Sequence, residues 1–301
     1  MTTWIPVTIL AALAQTARFG LMRQLKVTRL SSTGTTFARY VFVAPLAIGL
    51  ALVYGMLNGV GWPDTSALFW VYVAVAGTTQ ILATVCVMAL FARRNFSVGI
   101  AFTKTTVLMS VPVGFILLGD TTSLWGFVAI VIGFFGVLLL SDPQGDVTRN
   151  IVRRAFNMGS ALGLASGVIF AVAGVSYRGA VLAVETGDAF FRAVFVLAIA
   201  TVLQTVMMAA WMALRESGEM TRVLRAWRIT GLVGLTSMVG STCWFVAFSM
   251  QNVAYVNAVG QIELLFSLVI TMFVFRERIS PREWQGGAIL MASILMLILY
   301  A

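Results

Sequence analysis

With 301 residues, 60% of them hydrophobic and only 10% charged, the chain carries less than half of the roughly 25% charged residues usual in a soluble domain, too few to clothe one in water. His is absent and both cysteines, Cys86 and Cys243, sit in apolar runs, so zinc, haem and Cys/His nucleophile constellations have no ligand set; neither a cofactor nor an enzymatic activity is expected. In so apolar a chain the formal charge of +9 reads as basic cytoplasmic loops, not as a nucleic-acid surface.

About 20 apolar residues cross the hydrocarbon core of a bilayer. Ten such runs follow one another, at 4–24, 35–57, 66–91, 97–118 and 122–140, then 157–178, 189–213, 229–250, 253–274 and 283–300. They predict an all-α membrane protein with ten transmembrane helices. The first run closes on Arg18, Arg23, Lys26 and Arg29 with no small-residue cleavage site, so it reads as a span and not as a cleavable signal. The longest polar segment, 141–150, lies mid-chain. It divides the protein into a five-helix repeat over 1–140, a connecting loop over 141–156 and a second five-helix repeat over 157–301.

The two halves match. Phe37-Ala-Arg39-Tyr-Val-Phe-Val43 resembles Phe190-Phe-Arg192-Ala-Val-Phe-Val196 at an offset of 153, while Cys86 pairs with Cys243, Asn95 with Asn252 and Asp120 with Glu277 at an offset of 157. Because five is odd, consecutive copies cross the bilayer in opposite senses, which predicts an inverted repeat of the kind found in secondary transporters. Arginine and lysine concentrate in alternate connections: Arg23, Lys26 and Arg29; Arg93 and Arg94; Arg149, Arg153 and Arg154; Arg215, Arg222, Arg225 and Arg228; Arg276, Arg278 and Arg282. The positive-inside rule places those loops in the cytoplasm and both termini outside.

Several of these residues resemble the drug/metabolite transporter superfamily, specifically its ten-helix EamA-type exporters. Arg39 and Arg192 stand near the starts of the second and seventh runs, Leu118-Gly-Asp120 closes the fourth, and Phe275-Arg-Glu277-Arg-Ile-Ser-Pro-Arg-Glu-Trp-Gln-Gly286 leads into the tenth. The resemblance covers essentially the whole chain. It implies a two-repeat bundle in the cytoplasmic (inner) membrane of a bacterium, with both termini in the cytoplasm, that moves small metabolites, often amino acids or related amphiphiles. This chain has Val107 and Leu264 where members of the family often carry a proline.

Ionisable side chains deep in a span are costly and mark function by default. Lys104 in the fourth run and Glu263 in the ninth are the deepest. They read either as functional groups, Lys104 as a counter-charge for a substrate carboxylate or phosphate and Glu263 as a partner for an ammonium group or a proton-coupling site, or as a buried pair joining helices. On a continuous helix Gln261 and Glu263 lie about 200° apart, so Lys104 and Gln261 would line a cavity, or Thr106 and Glu263 would. Asn257 shares a face with Gln261. Gln15 with Arg18, and Trp244, complete the candidate substrate-binding set, while Arg39, Arg192, Asp120 and Glu277 are candidates for gating or structure. Small residues recur as Gly126, Gly133 and Gly136, as Gly159, Gly163 and Gly167, and as Gly286 and Gly287, faces that let helices approach closely within a monomer or across a homodimer.

No phosphate-binding Gly-x-x-x-x-Gly-Lys-Ser/Thr loop occurs. The expected function is therefore secondary active transport, export or exchange, of amino acids or related zwitterionic or anionic compounds, by alternating access at a midplane cavity with possible coupling to protons. The alternatives are a lipid or amphiphile flippase of the same fold and a non-transporting membrane scaffold.

Overall fold

A computed structural model describes residues 3–25, 30–91, 104–140, 158–273 and 280–300. Their regular structure is helical: α1 (Trp4–Leu25), α2 (Ser32–Leu57), α3 (Ala67–Phe91), α4 (Thr106–Leu118), α5 (Leu124–Leu140), α6 (Met158–Leu182), α7 (Ala189–Arg215), α8 (Glu219–Arg225), α9 (Trp227–Met250), α10 (Val253–Gly260), α11 (Ile262–Phe273) and α12 (Pro281–Tyr300). Among the described residues, six helices are long and apolar enough to cross a membrane, namely Thr33–Leu57, Ala67–Val87, Ala161–Leu182, Ala189–Arg215, Trp227–Met250 and Pro281–Leu299. Large apolar side chains face outward on them, Met56 and Leu214 each 83% exposed. That exposure suits lipid and not water.

Among the described residues, three features depart from a reading of each apolar run as one helix joined to the next by loop. The ninth run, expected as one helix, is broken at Gln261, and the polar stretch before α9 folds into the short α8. In the fourth run, helix α4 begins only at Thr106, after a turn at Lys104 and Thr105.

Helix starts are set by side-chain caps that recur along the chain. Ser31 Oγ accepts from Gly34 N at 2.9 Å and Asp188 Oδ1 from Phe191 N at 2.9 Å; Ser123 Oγ accepts from Gly126 N at 3.0 Å and Ser280 Oγ from Glu283 N at 3.2 Å. Each satisfies a donor that the first turn leaves orphaned. At Ser280 the Glu283 carboxylate also accepts from Ser280 N at 2.6 Å, closing a capping box. Ser31 and Asp188 stand 157 positions apart, as do Ser123 and Ser280. The Arg39 and Arg192 match at 153 is therefore one helical turn out of register with the caps, and Arg39 does not occupy the position that Arg192 holds.

By packing, the chain divides into two compact units, each drawn from both sequence halves. Unit 1 comprises Met1–Ile5, Leu82–Val175 and Gln251–Ala301; unit 2 comprises Pro6–Ile81 and Ser176–Met250. In unit 1, α5 and α12 meet backbone to backbone. A Cβ on Gly136 would stand 2.8 Å from Leu290 N and 2.9 Å from Gly286 O, and Ser293 Oγ donates to Ala129 O at 2.7 Å across the same contact. Glycines are needed there because only a missing side chain allows that approach.

In unit 2, α2 packs on α7 through Phe37, Ala38, Tyr40, Met208 and Met212, with Val223 of α8 closing the cluster, and on α9 where Phe42 lies against Gly234. The loop between α7 and α8 grips the start of α2. Ser31 N donates to Glu219 Oε1 at 2.6 Å and Ser31 Oγ to Glu216 Oε2 at 2.7 Å. Glu219, 1% exposed, also holds Arg222 at 3.0 Å and lies against Gly34, where a Cβ would meet its carboxylate.

Candidate functional site

The site assembles in unit 1 around the break at Gln261 and the turn at Lys104 and Thr105 that precedes α4. At the end of α10 the amide of Gln261 donates back three residues to Ala258 O at 3.2 Å, and Leu264 N donates to Gln261 O at 2.9 Å. Before α4, Val107 N donates to Lys104 O at 3.3 Å in the same three-residue pattern. These are tight 3₁₀-type turns, and they sit 157 positions apart. Each frees carbonyls and redirects the side chains that follow.

The position of α10 is fixed from its start. Asn252 Oδ1 caps Ala254 N at 2.8 Å, and its amide reaches Thr121 O at 3.4 Å. One turn on, Tyr255 Oη accepts from Ser123 N at 2.8 Å, with its ring against Gly126. Asn257 then donates to Ser110 Oγ of α4 at 3.0 Å, while Ser110, fully buried, donates to Thr106 O at 2.7 Å.

With these contacts in place, Lys104 Nζ meets Glu263 Oε1 at 2.5 Å, the side chains 18% and 11% exposed. Lys104 precedes the positive end of α4 and gains nothing from that dipole; Glu263 stands in the first turn of α11, where a carboxylate is favoured. The pair is a charge-assisted hydrogen bond in a medium where an unpaired charge is prohibitive. Beside it, Lys104, Val107, Ile130, Gly133, Val137, Ala258, Gln261 and Ser293 line a void of about 10 Å³, room for about one water molecule. Gln261 Nε2 donates to Asn257 O at 3.2 Å, while its buried Oε1 has no partner.

The helix break decides the question of faces. Lys104 and Gln261 both line the void, and because α10 ends at Gly260, Glu263 belongs to a new helix and reaches Lys104 as well. Ser110 and Tyr255 are positioning residues that sequence reasoning missed, and Asn252 entered it only as the repeat match of Asn95; the signal at Ser110 was a small polar residue inside an apolar helix.

The other candidates lie elsewhere. Asp120 follows the left-handed Gly119 that ends α4 and lines an open groove of about 470 Å³ with Pro112, Phe115 and Phe127. In unit 2, Arg18 is 6% exposed and donates to Gln15 Oε1 at 3.3 Å. The Trp244 ring lies 5.8 Å from that of Phe248. Arg192 Nε donates to Gly187 O at 3.1 Å, and the Arg39 guanidinium stands 5.4 Å from the Tyr40 ring. Glu277 lies outside the described residues.

Comparison with known proteins agrees with this architecture. A solved crystal structure superposes with a TM-score of 0.67 over 99% of this chain and 98% of its own at 14% identity, a likeness of fold alone. Residues 157–299 match the EamA-like transporter family. The chain thus carries an EamA-like transporter domain, of a family within the drug/metabolite transporter superfamily.

Proposed function

We propose that this membrane transporter moves small zwitterionic metabolites, amino acids or close relatives, by secondary active export or exchange, and that the Lys104–Glu263 pair is where the substrate engages. The observation that carries this reading is a lysine in the turn before α4 and a glutamate just after the break at Gln261, held 2.5 Å apart. Discontinuous helices with irregular backbone are where secondary transporters place their substrates. A zwitterion matches the pair term for term: its carboxylate replaces Glu263 on Lys104, and its ammonium replaces Lys104 on Glu263. No charge is then left unpaired in either state, which the low-dielectric setting demands.

The void of about 10 Å³ is far too small for such a molecule, so this arrangement is a closed one, and alternating access would have to part α4 from α10 and α11 to admit it. Ten spans in an inverted repeat are the topology that goes with this mechanism, and the caps and turns recurring at 157 positions support it. Glu263, freed from Lys104 during exchange, is the group available for proton coupling. Since Glu263 neutralises Lys104, the pair offers no net charge to a lipid phosphate, which disfavours the flippase reading.

The test is uptake into proteoliposomes of a labelled panel of neutral, acidic and basic amino acids, with and without a proton gradient. Neutral zwitterions are expected to cross, and Lys104→Ala and Glu263→Gln to reduce transport at least about tenfold, as loss of a charged contact does. Wild-type rates in both variants would defeat the proposal.

A further inference from the structure

Unit 2 carries interior charge of a different kind. Thr33–Leu57, Ala67–Val87, Ala189–Arg215 and Trp227–Met250 contain no Asp or Glu, yet Arg39 sits in the second turn of α2, half-buried. Among the described residues no carboxylate pairs with it; its contact is the face of Tyr40, 5.4 Å from guanidinium carbon to ring centroid. The phenol of Tyr40, 2% exposed, has a buried Oη without a hydrogen-bond partner. Elsewhere in unit 2, Tyr177 of α6 is buried. Its Oη accepts from Gln204 Nε2 at 3.1 Å, its ring stacks at 4.4 Å on Phe245, and Gln204 Nε2 is held near Gly77 O at 3.4 Å.

An uncompensated guanidinium inside a span and an orphaned buried hydroxyl beside it are each costly. A single acceptor-rich anion relieves both. We propose that Arg39 and Tyr40 form a binding subsite for the carboxylate of a small organic acid, distinct from the Lys104–Glu263 pair. The carboxylate takes two guanidinium N–H bonds in the fork geometry that arginine favours and accepts the Tyr40 hydroxyl on one oxygen. Arg192 marks the contrast, since its Nε already donates to Gly187 O.

Full-length protein in phosphatidylcholine nanodiscs, titrated with labelled benzoate, with inorganic phosphate as a second ligand, provides the test. Saturable benzoate binding is expected, weakened about tenfold or more by Arg39→Gln and about threefold by Tyr40→Phe, partly retained in Arg39→Lys and unchanged in Arg192→Gln. Absence of saturable binding, or wild-type affinity in Tyr40→Phe together with Arg39→Gln, overturns the proposal; if Arg39→Gln does not fold, wild-type affinity in Tyr40→Phe alone does so. Preference for phosphate over benzoate, or displacement of benzoate by phosphatidylglycerol, would assign the subsite to a lipid head group and also overturn it. Benzoate binding without amino-acid transport would sink the transport reading and leave this one standing, and the converse would do the reverse.

Discussion

Lys104 and Glu263 answer for each other's charge, so removing one is expected to cost more than removing both. Lys104→Met leaves a carboxylate, 11% exposed, without its cation and should destabilise the fold by about 3 kcal/mol, whereas Lys104→Met with Glu263→Leu should recover most of that loss. Thermal unfolding in detergent measures the difference; additive losses in the double variant would show that the pair contributes nothing as a pair. Transport should remain absent in the double variant, which separates stability from substrate contact. Both residues are legible in the sequence as charges set deep in apolar runs. Their union is not, because on an unbroken helix Glu263 faces away from the side that Gln261 presents. The break after Gly260 undoes that argument; no proline marks it, and the polar residues around it, Asn257, Gln261 and Glu263, read equally well as cavity-lining residues on an unbroken helix.

At the scale of the helices, most described helices coincide with apolar runs, and six of them are long and apolar enough to cross a membrane. The hidden part is local chemistry: the turn at Lys104, the break at Gln261, and α8 folded from a stretch that reads as loop. Packing between helices makes sharper predictions. Gly136 and Gly286 bring α5 and α12 together so closely that a Cβ on Gly286 would stand 2.8 Å from Gly136 O and 3.0 Å from Leu140 N. Both obstacles are backbone. Gly286→Ala is therefore expected to lower the unfolding temperature by several degrees, while Gly49→Ala in α2, with nothing within 4 Å, should be neutral or raise stability by up to about 1 kcal/mol through helix propensity. Equal behaviour of the two would refute the close-contact account. Asn252→Ala removes the cap on α10 and its tie to Thr121, and should cost about 1 kcal/mol in the same assay.

Membrane orientation belongs to the whole molecule, and α7 offers a ruler for it. At its start Phe190 lies 5.0 Å from Tyr54, and Trp62 lies 5.0 Å from Phe195. Near its end Arg215 stacks over Trp211, and beyond α8 Arg228 stacks over Trp227. Phe190 and Trp211 are separated by about 31 Å at 1.5 Å per helical residue, close to the ~30 Å hydrocarbon core. The aromatic groups therefore mark the two interfaces. Arg215, Arg222, Arg225 and Arg228 gather at one of them. At the other, Arg178 donates to the carbonyl of Phe248 and Arg192 to that of Gly187, so the guanidinium groups there are engaged with backbone. Arginines are thus more numerous on the side of Gly218, and a reporter fused at Gly218 is expected to be cytoplasmic, with one at Gly61 outside. The resemblance to EamA-type exporters implies the opposite for Gly61, because two helices separate it from the N-terminus and a cytoplasmic N-terminus would put it in the cytoplasm. Paired alkaline phosphatase and green fluorescent protein fusions at these two glycines discriminate directly. A cytoplasmic Gly61 would mean that loop charge does not set the orientation of this chain.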